Sequence, residues 1–243
     1  MKNKLVMITA YDYPTAKIVD EVGVDYILVG DSLGMVILGY PDTKSVTMVD
    51  MLHHLKAVVR GVKKSHIVAD MPINTYNSVK DAVKNAKLFQ KAGAHSVKIE
   101  GANPEIITAI IQEGIPVVGH LGLLPQTARS YKVQGRDQQE AEQIYQDAKS
   151  LDNLGMLALV LECIPSELAK RITETIKTPT IGIGAGIYCS GQVLVLHDVI
   201  GLSDFQGKMV KRYIDTKEMM RQAISSFKQE VIKEKFPTEK NSF

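Results

Sequence analysis

The sequence predicts a (β/α)₈ barrel, and three observations carry the prediction. Eight short apolar runs rich in Val, Ile and Leu are spread along the chain, and segments with helical spacing separate them. Most of these runs are continuously apolar, as in the strands of a parallel sheet that helices cover. Eight strand–helix units within 243 residues suit one closed barrel better than an open doubly wound sheet.

Each predicted strand is an apolar run bounded by Gly, Pro or Asp. The strands are residues 5–10, 26–31, 66–71, 96–101, 116–122, 158–163, 179–184 and 193–198. The clearest helical patterns between them lie at 78–92, 104–113, 138–154 and 166–176. No repeat or linker interrupts this order, so residues 1–243 are predicted to form a single catalytic domain with a frayed polar tail from about residue 237.

A last helix is predicted at about 217–234. Its spacing places several apolar side chains on one stripe, which suits packing against the core or against a partner. The stripe comprises Met220, Ala223, Ile224, Phe227 and Val231.

Composition argues against nucleic acid and membranes as partners. Lys and Arg total 29 against 27 for Asp and Glu, a formal charge of +2, which is far from the dense basic surface that binds nucleic acid. The apolar run from Leu5 to Ala10 is too short for a signal peptide, and no stretch approaches a membrane span. We therefore expect a soluble, cytoplasmic protein.

The two cysteines predict neither a disulfide framework nor a zinc cluster. Cys163 and Cys189 lie far apart in the sequence and form no CxxC pair. Cys163 is interpreted as a buried small apolar residue.

Ionisable residues end five consecutive predicted strands. A single Asp at such a position is often a helix cap or a turn former, but active sites of (β/α)₈ barrels are built at this end of the strands. Lys98 lies two residues before the group that ends strand four, so both side chains point into the barrel mouth. The residues that end strands two to six are Asp31, Asp70, Glu100, His120 and Glu162.

The four carboxylates among these residues predict a bound cation. Carboxylates packed at one mouth repel one another, and burying them is costly unless they are paired or metal-bound. The donors are oxygen atoms, with no Cys or His cluster nearby, and such donors suit Mg²⁺ more than zinc. Mg²⁺ is therefore expected, with Mn²⁺ as the alternative.

Glu162 is predicted to be the general base. It is flanked by Leu161, Cys163 and Ile164, an apolar setting that suits a proton acceptor. The alternative is a structural ion pair between Glu162 and a helix Lys or Arg. His120 lies among glycines at a strand end, which favours the site over a core position.

The glycine-rich run Gly182–Gly186 has two interpretations. It follows a strand, as a phosphate cradle does, but it lacks the GxGxxG spacing. We interpret it as a close-packed barrel strand with room for substrate beneath it.

At these residues the sequence closely resembles the ketopantoate hydroxymethyltransferase family of pantothenate biosynthesis. The resemblance runs nearly end to end, and several motifs in the right order are more specific than any single one. The segment from Leu124 to Ser130 departs from the family, because it is a few residues shorter than usual and lacks the family's glycines. The matching motifs are TAYDYPTAK (9–17), LVGDSLGM (28–35), VADMP (68–72), VKIEG (97–101), GHLGL (119–123), YKVQGR (131–136), LECIP (161–165) and GIGAG (182–186).

The resemblance implies a barrel of the phosphoenolpyruvate/pyruvate type that assembles into homo-oligomers, typically decamers. It implies Mg²⁺ bound by Asp31 and Asp70, with Glu100 in or near the metal shell, and Glu162 as the proton acceptor. The residues implied to contact the 2-oxo acid are Asp31, Ser32, Asp70 and Lys98.

The implied reaction joins a one-carbon unit to an enolate. The substrate 3-methyl-2-oxobutanoate would chelate Mg²⁺, which stabilises the enolate, while Lys98 adds positive charge nearby. Glu162 would remove the C3 proton, and the carbanion would attack the methylene of 5,10-methylenetetrahydrofolate. Water then completes the release of tetrahydrofolate and 2-dehydropantoate. His120 is expected to position the folate or a proton-transferring water.

Three other functions fit parts of the same pattern. A metal-dependent C–C lyase of a 2-oxo or 2-hydroxy acid would use the same barrel, but such lyases often need a cysteine in a mobile loop, and neither cysteine has that setting. A Schiff-base aldolase using Lys98 would work without a metal. A non-catalytic ligand-binding barrel would retain only the cation site.

Overall fold

The computed structural model describes residues 4–128 and 130–243. Residues 1–3, before the first predicted strand, and Arg129, part of the segment 124–130, lie outside the described residues. Within the described ranges, eight parallel strands pair in chain order, and β8 pairs with β1, so the sheet closes into a barrel. The predicted (β/α)₈ barrel is confirmed. The strands are β1 Leu5–Thr9, β2 Tyr26–Val29, β3 His66–Asp70, β4 Ser96–Lys98, β5 Val117–Gly122, β6 Ala158–Glu162, β7 Thr180–Ile183 and β8 Gly191–Leu194.

Helices separate the strands as the sequence pattern predicts, except that β8 follows β7 with no helix among the described residues between them. Several helices begin at an N-cap residue: the side chains of Asp12, Ser78 and Asp137 each accept a hydrogen bond from the backbone N–H three residues later. The helices are α1 Tyr13–Val22, α2 Leu33–Val36, α3 Met48–Gly61, α4 Val79–Lys91, α5 Pro104–Gln112, α6 Gln138–Asp152, α7 Ser166–Thr175, α8 Leu196–Val199 and α9 Thr216–Ile232.

Apolar side chains form one buried cluster drawn from the barrel strands. Because side chains alternate between the two faces of a strand, such residues can fill the interior while their neighbours face the helices. The interior is therefore a packed core, and polar chemistry is left to the carboxyl ends of the strands. The cluster consists of Met7, Leu28, Val68, Val118, Ala158, Val160, Ile181 and Val193.

The last strand begins earlier than predicted. The predicted range 193–198 was wrong, because β8 is Gly191–Leu194 and a short helix begins at Leu196. Gly191 pairs with Leu5, and a Cβ at Gly191 would clash with the Leu5 backbone. The glycine that looked like a boundary is thus part of the strand, since only glycine allows this approach.

Cys163 is not the buried apolar residue that the sequence predicted. It directly follows β6 and is only partly buried, with a backbone φ of 48° in the left-handed region. The chain turns here, and the Cys163 carbonyl accepts a hydrogen bond from the backbone N–H of Gln134 at 2.8 Å. Among the described residues, neither cysteine forms a disulfide.

The glycines of the run 182–186 are closely packed. A Cβ at Gly182 would lie 2.9 Å from the Cys189 sulfur, and one at Gly186 would clash with the Ser166 side chain. The close packing agrees with the interpretation, but only Gly182 and Ile183 belong to β7, so the interpretation as a barrel strand was wrong for residues 184–186, which follow the strand.

The chain divides into two compact units, Met1–Val195 and Leu196–Phe243. The first contains the barrel, and the second contains α8, α9 and one 3₁₀ turn at Glu239–Asn241. No residue of α9 is buried, so its apolar stripe does not enter a core. The single catalytic domain and the frayed tail stay predictions.

No helix formed by the described residues combines the length and the apolarity needed to cross a lipid bilayer.

Candidate active site

The carboxyl ends of five neighbouring strands bring the predicted polar residues to one mouth of the barrel. Asp70, Lys98 and Glu162 are the last residues of β3, β4 and β6, and the others lie within two residues of a strand or inside one. Hydrogen bonds and ion pairs divide them into two groups. These are the aspartate–lysine cluster, Asp31, Asp70 and Lys98, and the histidine bridge, Glu100, His120 and Glu162.

The aspartate–lysine cluster is held by a buried ion pair. Asp70 and Lys98 are partners in the register of β3 and β4, and the Lys98 ammonium donates to both carboxylate oxygens of Asp70 at 2.8 Å. The two side chains are 3% and 6% exposed. The backbone N–H of Asp31 makes a longer contact of 3.4 Å with Asp70 Oδ2. Strand pairing therefore fixes this part of the site.

The cluster contains more negative charge than Lys98 balances. Burial and the charge of Asp70 raise the pKa of Asp31 well above its ordinary value. Burial also raises the pKa of Asp70, although Lys98 opposes it. For Lys98, burial favours the neutral form, but the surrounding carboxylates prevail and raise the pKa of its ammonium. Lys98 is therefore protonated at neutral pH.

His120 lies between two carboxylates in the histidine bridge. Its Nδ1 is 3.5 Å from Glu100 Oε1, and its Nε2 is 3.3 Å from Glu162 Oε2. These are ion-pair distances, and among the described residues neither ring nitrogen has a hydrogen-bond partner. Burial and Lys98 oppose protonation, but the two glutamates prevail and raise the pKa of His120 to about 9. Burial raises the pKa of the Glu100 carboxyl, but the interaction with His120 prevails and keeps that pKa below its ordinary value.

Glu162 is the accessible carboxylate of the bridge. Its side chain is 13% exposed, against 3% for Glu100. Among the residues that the structure describes, its ion-pair partner is His120, a strand residue, and not a helix Lys or Arg. A molecule in the barrel mouth can therefore reach Glu162 more readily than Glu100.

Tyr11 supports Ser32, and the sequence reasoning did not single it out. Its hydroxyl lies 2.7 Å from Ser32 Oγ, and its side chain is buried. The Tyr11 carbonyl faces His54 Nδ1 at 2.6 Å, and because a carbonyl only accepts, the ring nitrogen donates. His54, on α3, therefore packs against the residue that precedes α1 by two positions. Tyr11 lies in the TAYDYPTAK motif, which was its only signal.

Gln126 is a second residue that the sequence reasoning missed. It lies in the short segment 124–130, yet it is 1% exposed, and its Nε2 donates to Asp31 Oδ2 at 2.8 Å. No strand end, periodicity or charge marks it in the sequence. Only the path of the loop brings it into the site.

The donors in the mouth fit a divalent cation. Four carboxylates face two cationic groups, so full ionisation leaves two negative charges in excess. Among the described residues, no group of three or more His, Cys, Asp and Glu side chains could by itself hold a metal ion. Mg²⁺ commonly binds one or two protein carboxylates and completes its shell with water and substrate. Asp31 and Asp70 suit this role, and the metal ligands Asp31, Asp70 and Glu100 all stay predictions.

Sequence comparison relates the whole chain to one enzyme family. Residues 1–239 match the family model described as ketopantoate hydroxymethyltransferase. The chain is 53% identical over 248 residues to a 3-methyl-2-oxobutanoate hydroxymethyltransferase of Thermoanaerobacter sp. (strain X514), covering 99% of this chain and 90% of that protein. It is 50% identical over 242 residues to the protein of that description from Ignicoccus hospitalis (strain KIN4/I / DSM 18386 / JCM 14125), covering 97% and 92%.

Solved structures relate the fold to a wider group of barrels. The chain superposes on phosphonopyruvate hydrolase with a TM-score of 0.67 at 11% identity, covering 98% of this chain and 88% of that one. For 2,3-dimethylmalate lyase, described as a PEP mutase/isocitrate lyase superfamily member, the TM-score is 0.65 at 15% identity, with 99% and 87% covered. At these identities the likeness concerns the fold alone, and it agrees with the closed (β/α)₈ barrel.

Proposed function

The chain belongs to the ketopantoate hydroxymethyltransferase family, and we propose that it forms an enolate of 3-methyl-2-oxobutanoate that accepts a hydroxymethyl group from 5,10-methylenetetrahydrofolate. The transferase activity and its place in pantothenate biosynthesis follow from the family. The products are 2-dehydropantoate and tetrahydrofolate. One observation carries the enolate mechanism: a single barrel mouth holds a buried aspartate–lysine cluster together with the accessible carboxylate of Glu162.

Asp31 and Asp70 would hold a divalent cation, Mg²⁺ or Mn²⁺, with Glu100 as a third carboxylate in or near its shell. The excess negative charge and the oxygen donors support this assignment. When bound, the cation supplies Lewis-acid stabilisation of negative charge on the oxo acid.

Lys98 and Ser32 bind and orient the oxo acid together with the two aspartates. The Lys98 ammonium, fixed by both oxygens of Asp70, adds positive charge beside the developing oxyanion or the substrate carboxylate. Ser32 offers a hydroxyl whose orientation the Tyr11 hydroxyl restricts. A protonated Lys98 disfavours the Schiff-base alternative, which requires a neutral amine.

Glu162 removes the C3 proton. Its Oε2 faces His120 at 3.3 Å, which leaves Oε1 for the substrate. The cationic His120 restrains the carboxylate, and we assign to it the positioning of the folate or of a proton-transferring water. The resulting carbanion forms a C–C bond to the methylene carbon of the folate while one C–N bond of that carbon breaks. Water then supplies the hydroxyl oxygen as the second C–N bond breaks, and the folate nitrogens take up the protons from C3 and from water to give tetrahydrofolate.

Deuterium exchange at C3 tests the enolising step without the folate. In D₂O with Mg²⁺, the protein should exchange the C3 proton of 3-methyl-2-oxobutanoate, and NMR follows its loss. Glu162→Gln should abolish exchange, because the amide cannot accept the proton. The control Glu167→Gln changes an exposed glutamate at the start of α7 and should exchange like the parent protein.

Each negative result of this assay has a separate meaning. No exchange in the parent protein with Mg²⁺ would refute an enolising enzyme and favour a ligand-binding barrel. Unchanged exchange in Glu162→Gln would refute the base alone. Activity that survives EDTA, with borohydride trapping of substrate on Lys98, would refute the metal model. The one-carbon donor is tested separately. A transferase should form 2-dehydropantoate only when 5,10-methylenetetrahydrofolate is added, and this dependence distinguishes it from a lyase.

We further propose a homo-oligomer, a decamer, that acts in the cytoplasm. The exposed apolar stripe on α9 supports a contact between subunits. Cysteine thiols that form no disulfide are usual in proteins of a reducing compartment, and this supports the cytoplasm.

A further inference from the structure

Gln126 is a buried residue with four polar contacts, three through its side-chain amide and one through its backbone N–H. Its Nε2 donates to Asp31 Oδ2 at 2.8 Å and to the Met71 carbonyl at 2.9 Å. Its Oε1 accepts from the Tyr76 hydroxyl at 2.5 Å, and its backbone N–H donates to Glu100 Oε2 at 3.2 Å. One loop residue thus connects groups that follow β2, β3 and β4.

The hydrogen bonds allow only one orientation of this amide. The Tyr76 oxygen accepts from the backbone N–H of Glu100 at 3.4 Å and donates its own proton to Gln126 Oε1. Both hydrogens of the Gln126 amide then face acceptors, the Asp31 carboxylate and the Met71 carbonyl. A reversed amide would place its oxygen against both acceptors. Tyr76 therefore determines which end of Gln126 meets Asp31.

This contact restrains one oxygen of Asp31. Oδ2 is engaged by the amide, so rotation of the carboxylate is restricted, and Oδ1 is left for another partner. Lys98 restrains Asp70 in the same mouth. Outer groups that orient ligating carboxylates in this way typically contribute tenfold to a hundredfold to metal affinity.

We propose that Gln126, oriented by Tyr76, is a positioning residue that holds the Asp31 carboxylate ready for a divalent cation. The proposal rests on the function proposed above, in which Asp31 and Asp70 hold that cation. It assigns a role to the segment Leu124–Ser130, whose length departs from the family.

Direct binding of Mn²⁺ tests this role without measuring turnover. Electron paramagnetic resonance of free Mn²⁺ gives the affinity of the substrate-free protein. Gln126→Met keeps the length of the side chain but removes its polar atoms, and it should weaken Mn²⁺ binding by about tenfold to a hundredfold. Gln134→Met is the matched control, because Gln134 lies in the same β5–α6 connection and its side-chain amide donates to the nearby Lys132 carbonyl. Its affinity should equal that of the parent protein.

A double-mutant cycle separates positioning from loss of fold. Tyr76→Phe removes only the hydroxyl and should weaken Mn²⁺ binding less than Gln126→Met does. If Tyr76 acts through Gln126, the double variant should bind Mn²⁺ no more weakly than Gln126→Met alone. Circular dichroism and thermal melting of each variant show whether it folds. If Gln126→Met does not fold, the Mn²⁺ affinity of Tyr76→Phe tests the proposal instead.

Several results would overturn the proposal. Unchanged affinity in a folded Gln126→Met would show that Asp31 needs no such partner, and tighter binding would make the amide a competitor of the cation. If the losses of Mn²⁺ affinity caused by the two substitutions add up in the double variant, Tyr76 does not act through Gln126. If the parent protein binds Mn²⁺ and exchanges the C3 proton, the proposed function stands in each case; if it binds no Mn²⁺, the metal model itself fails.

Discussion

At the scale of single residues, the mouth of the barrel is organised by pairs of unlike charge. Lys98 meets both oxygens of Asp70, and His120 lies between Glu100 and Glu162. Removing one partner from a buried pair leaves an uncompensated charge in a poorly solvated place. An exposed pair behaves differently, because water replaces the lost partner.

Lys98→Met should destabilise the metal-free protein strongly. The substitution leaves Asp70 buried without its ammonium partner, and we expect a loss of about 3–5 kcal/mol in the free energy of unfolding at pH 7. Urea denaturation in EDTA measures it. The control Lys87→Met breaks the exposed pair with Glu113, at 2.6 Å, and should change the stability by about 0–1 kcal/mol. Equal losses in the two variants would show that the buried pair contributes no special stability.

At the scale of elements, side chains and glycines join each helix or loop to the next. Asp20 on α1 accepts hydrogen bonds from the backbone N–H groups of Lys63, Lys64 and Ser65, which connect α3 to β3. Gly122 ends β5 with a φ of 93° beside the backbone of Glu162. Both contacts lie between elements that the sequence pattern treats separately.

The contact of Asp20 predicts a loss of stability in acid. Burial opposes ionisation, but the three backbone N–H groups prevail and lower the pKa of Asp20 from 3.8 to about 2. Because the folded pKa is depressed, the contribution is present above pH 3.8 and is lost as the pH falls towards 2. We expect about 1–2 kcal/mol, allowing for screening by solvent.

Urea denaturation between pH 6 and pH 2 measures this contribution. Asp20→Asn should be less stable than the parent protein at pH 6, and the difference should shrink towards pH 2. Asp147→Asn, which changes a partly exposed carboxylate on α6 that accepts from the Gln143 amide, should alter the stability by less than about 0.5 kcal/mol. A difference for Asp20→Asn that does not depend on pH would contradict the assignment.

Gly122→Ala should disturb both stability and the site. A Cβ there would clash with the Glu162 carbonyl, and the positive φ adds strain of about 1–3 kcal/mol. Because Gly122 pairs with Glu162 in the register of β5 and β6, the base should move and C3 exchange should slow. Melting and the exchange assay measure the two effects.

Gly155→Ala is the matched control for Gly122→Ala. Gly155 has a φ of 75° and open space around its Cβ position, so only the strain of about 1–2 kcal/mol should appear, with normal exchange. Equal exchange rates in the two variants would contradict a role for Gly122 in holding Glu162.

At the scale of the whole molecule, barrel closure gives every strand two neighbours and leaves the carboxyl ends together at one mouth. The C-terminal unit has a different character, since α9 exposes a row of large apolar side chains. Phe227 also packs edge-on against Phe236, with ring centroids 5.5 Å apart. A soluble monomer rarely leaves such a surface open, which is why we expect partner subunits to cover it.

Charges placed on this stripe should dissociate the proposed decamer. In sedimentation velocity the parent protein should run as a large species, and Ile224→Glu combined with Phe227→Glu should shift it to smaller ones, because charge is disfavoured in a buried apolar contact. Ser225→Glu adds a charge on the opposite side of the same helix and should leave the assembly intact. A monomeric parent protein would refute the decamer. If the double variant keeps the size of the parent assembly, the apolar stripe does not lie in the subunit contact.

Local sequence patterns were enough to predict the barrel, the order of its strands and the edge at which the ionisable residues meet. These features depend on local periodicity and on the rule that parallel strands joined by helices bring their carboxyl ends to one side. Asp31, Asp70 and Glu162 could therefore be assigned to one mouth before any contact was known. The boundaries of β8 were not predicted correctly, because apolar composition continues from the strand into the following helix and because Gly191 pairs with a strand that is distant in sequence.

Only the tertiary structure decided which of these groups touch. Lys98 holds Asp70, His120 joins Glu100 to Glu162, and Gln126 meets Asp31 across 95 residues of sequence. Such contacts depend on strand register and on the path of a loop, neither of which leaves a periodic signal. A neutral amide in a connection carries no charge or spacing to mark it, and it acquires its role only when folding removes water from around it and a carboxylate.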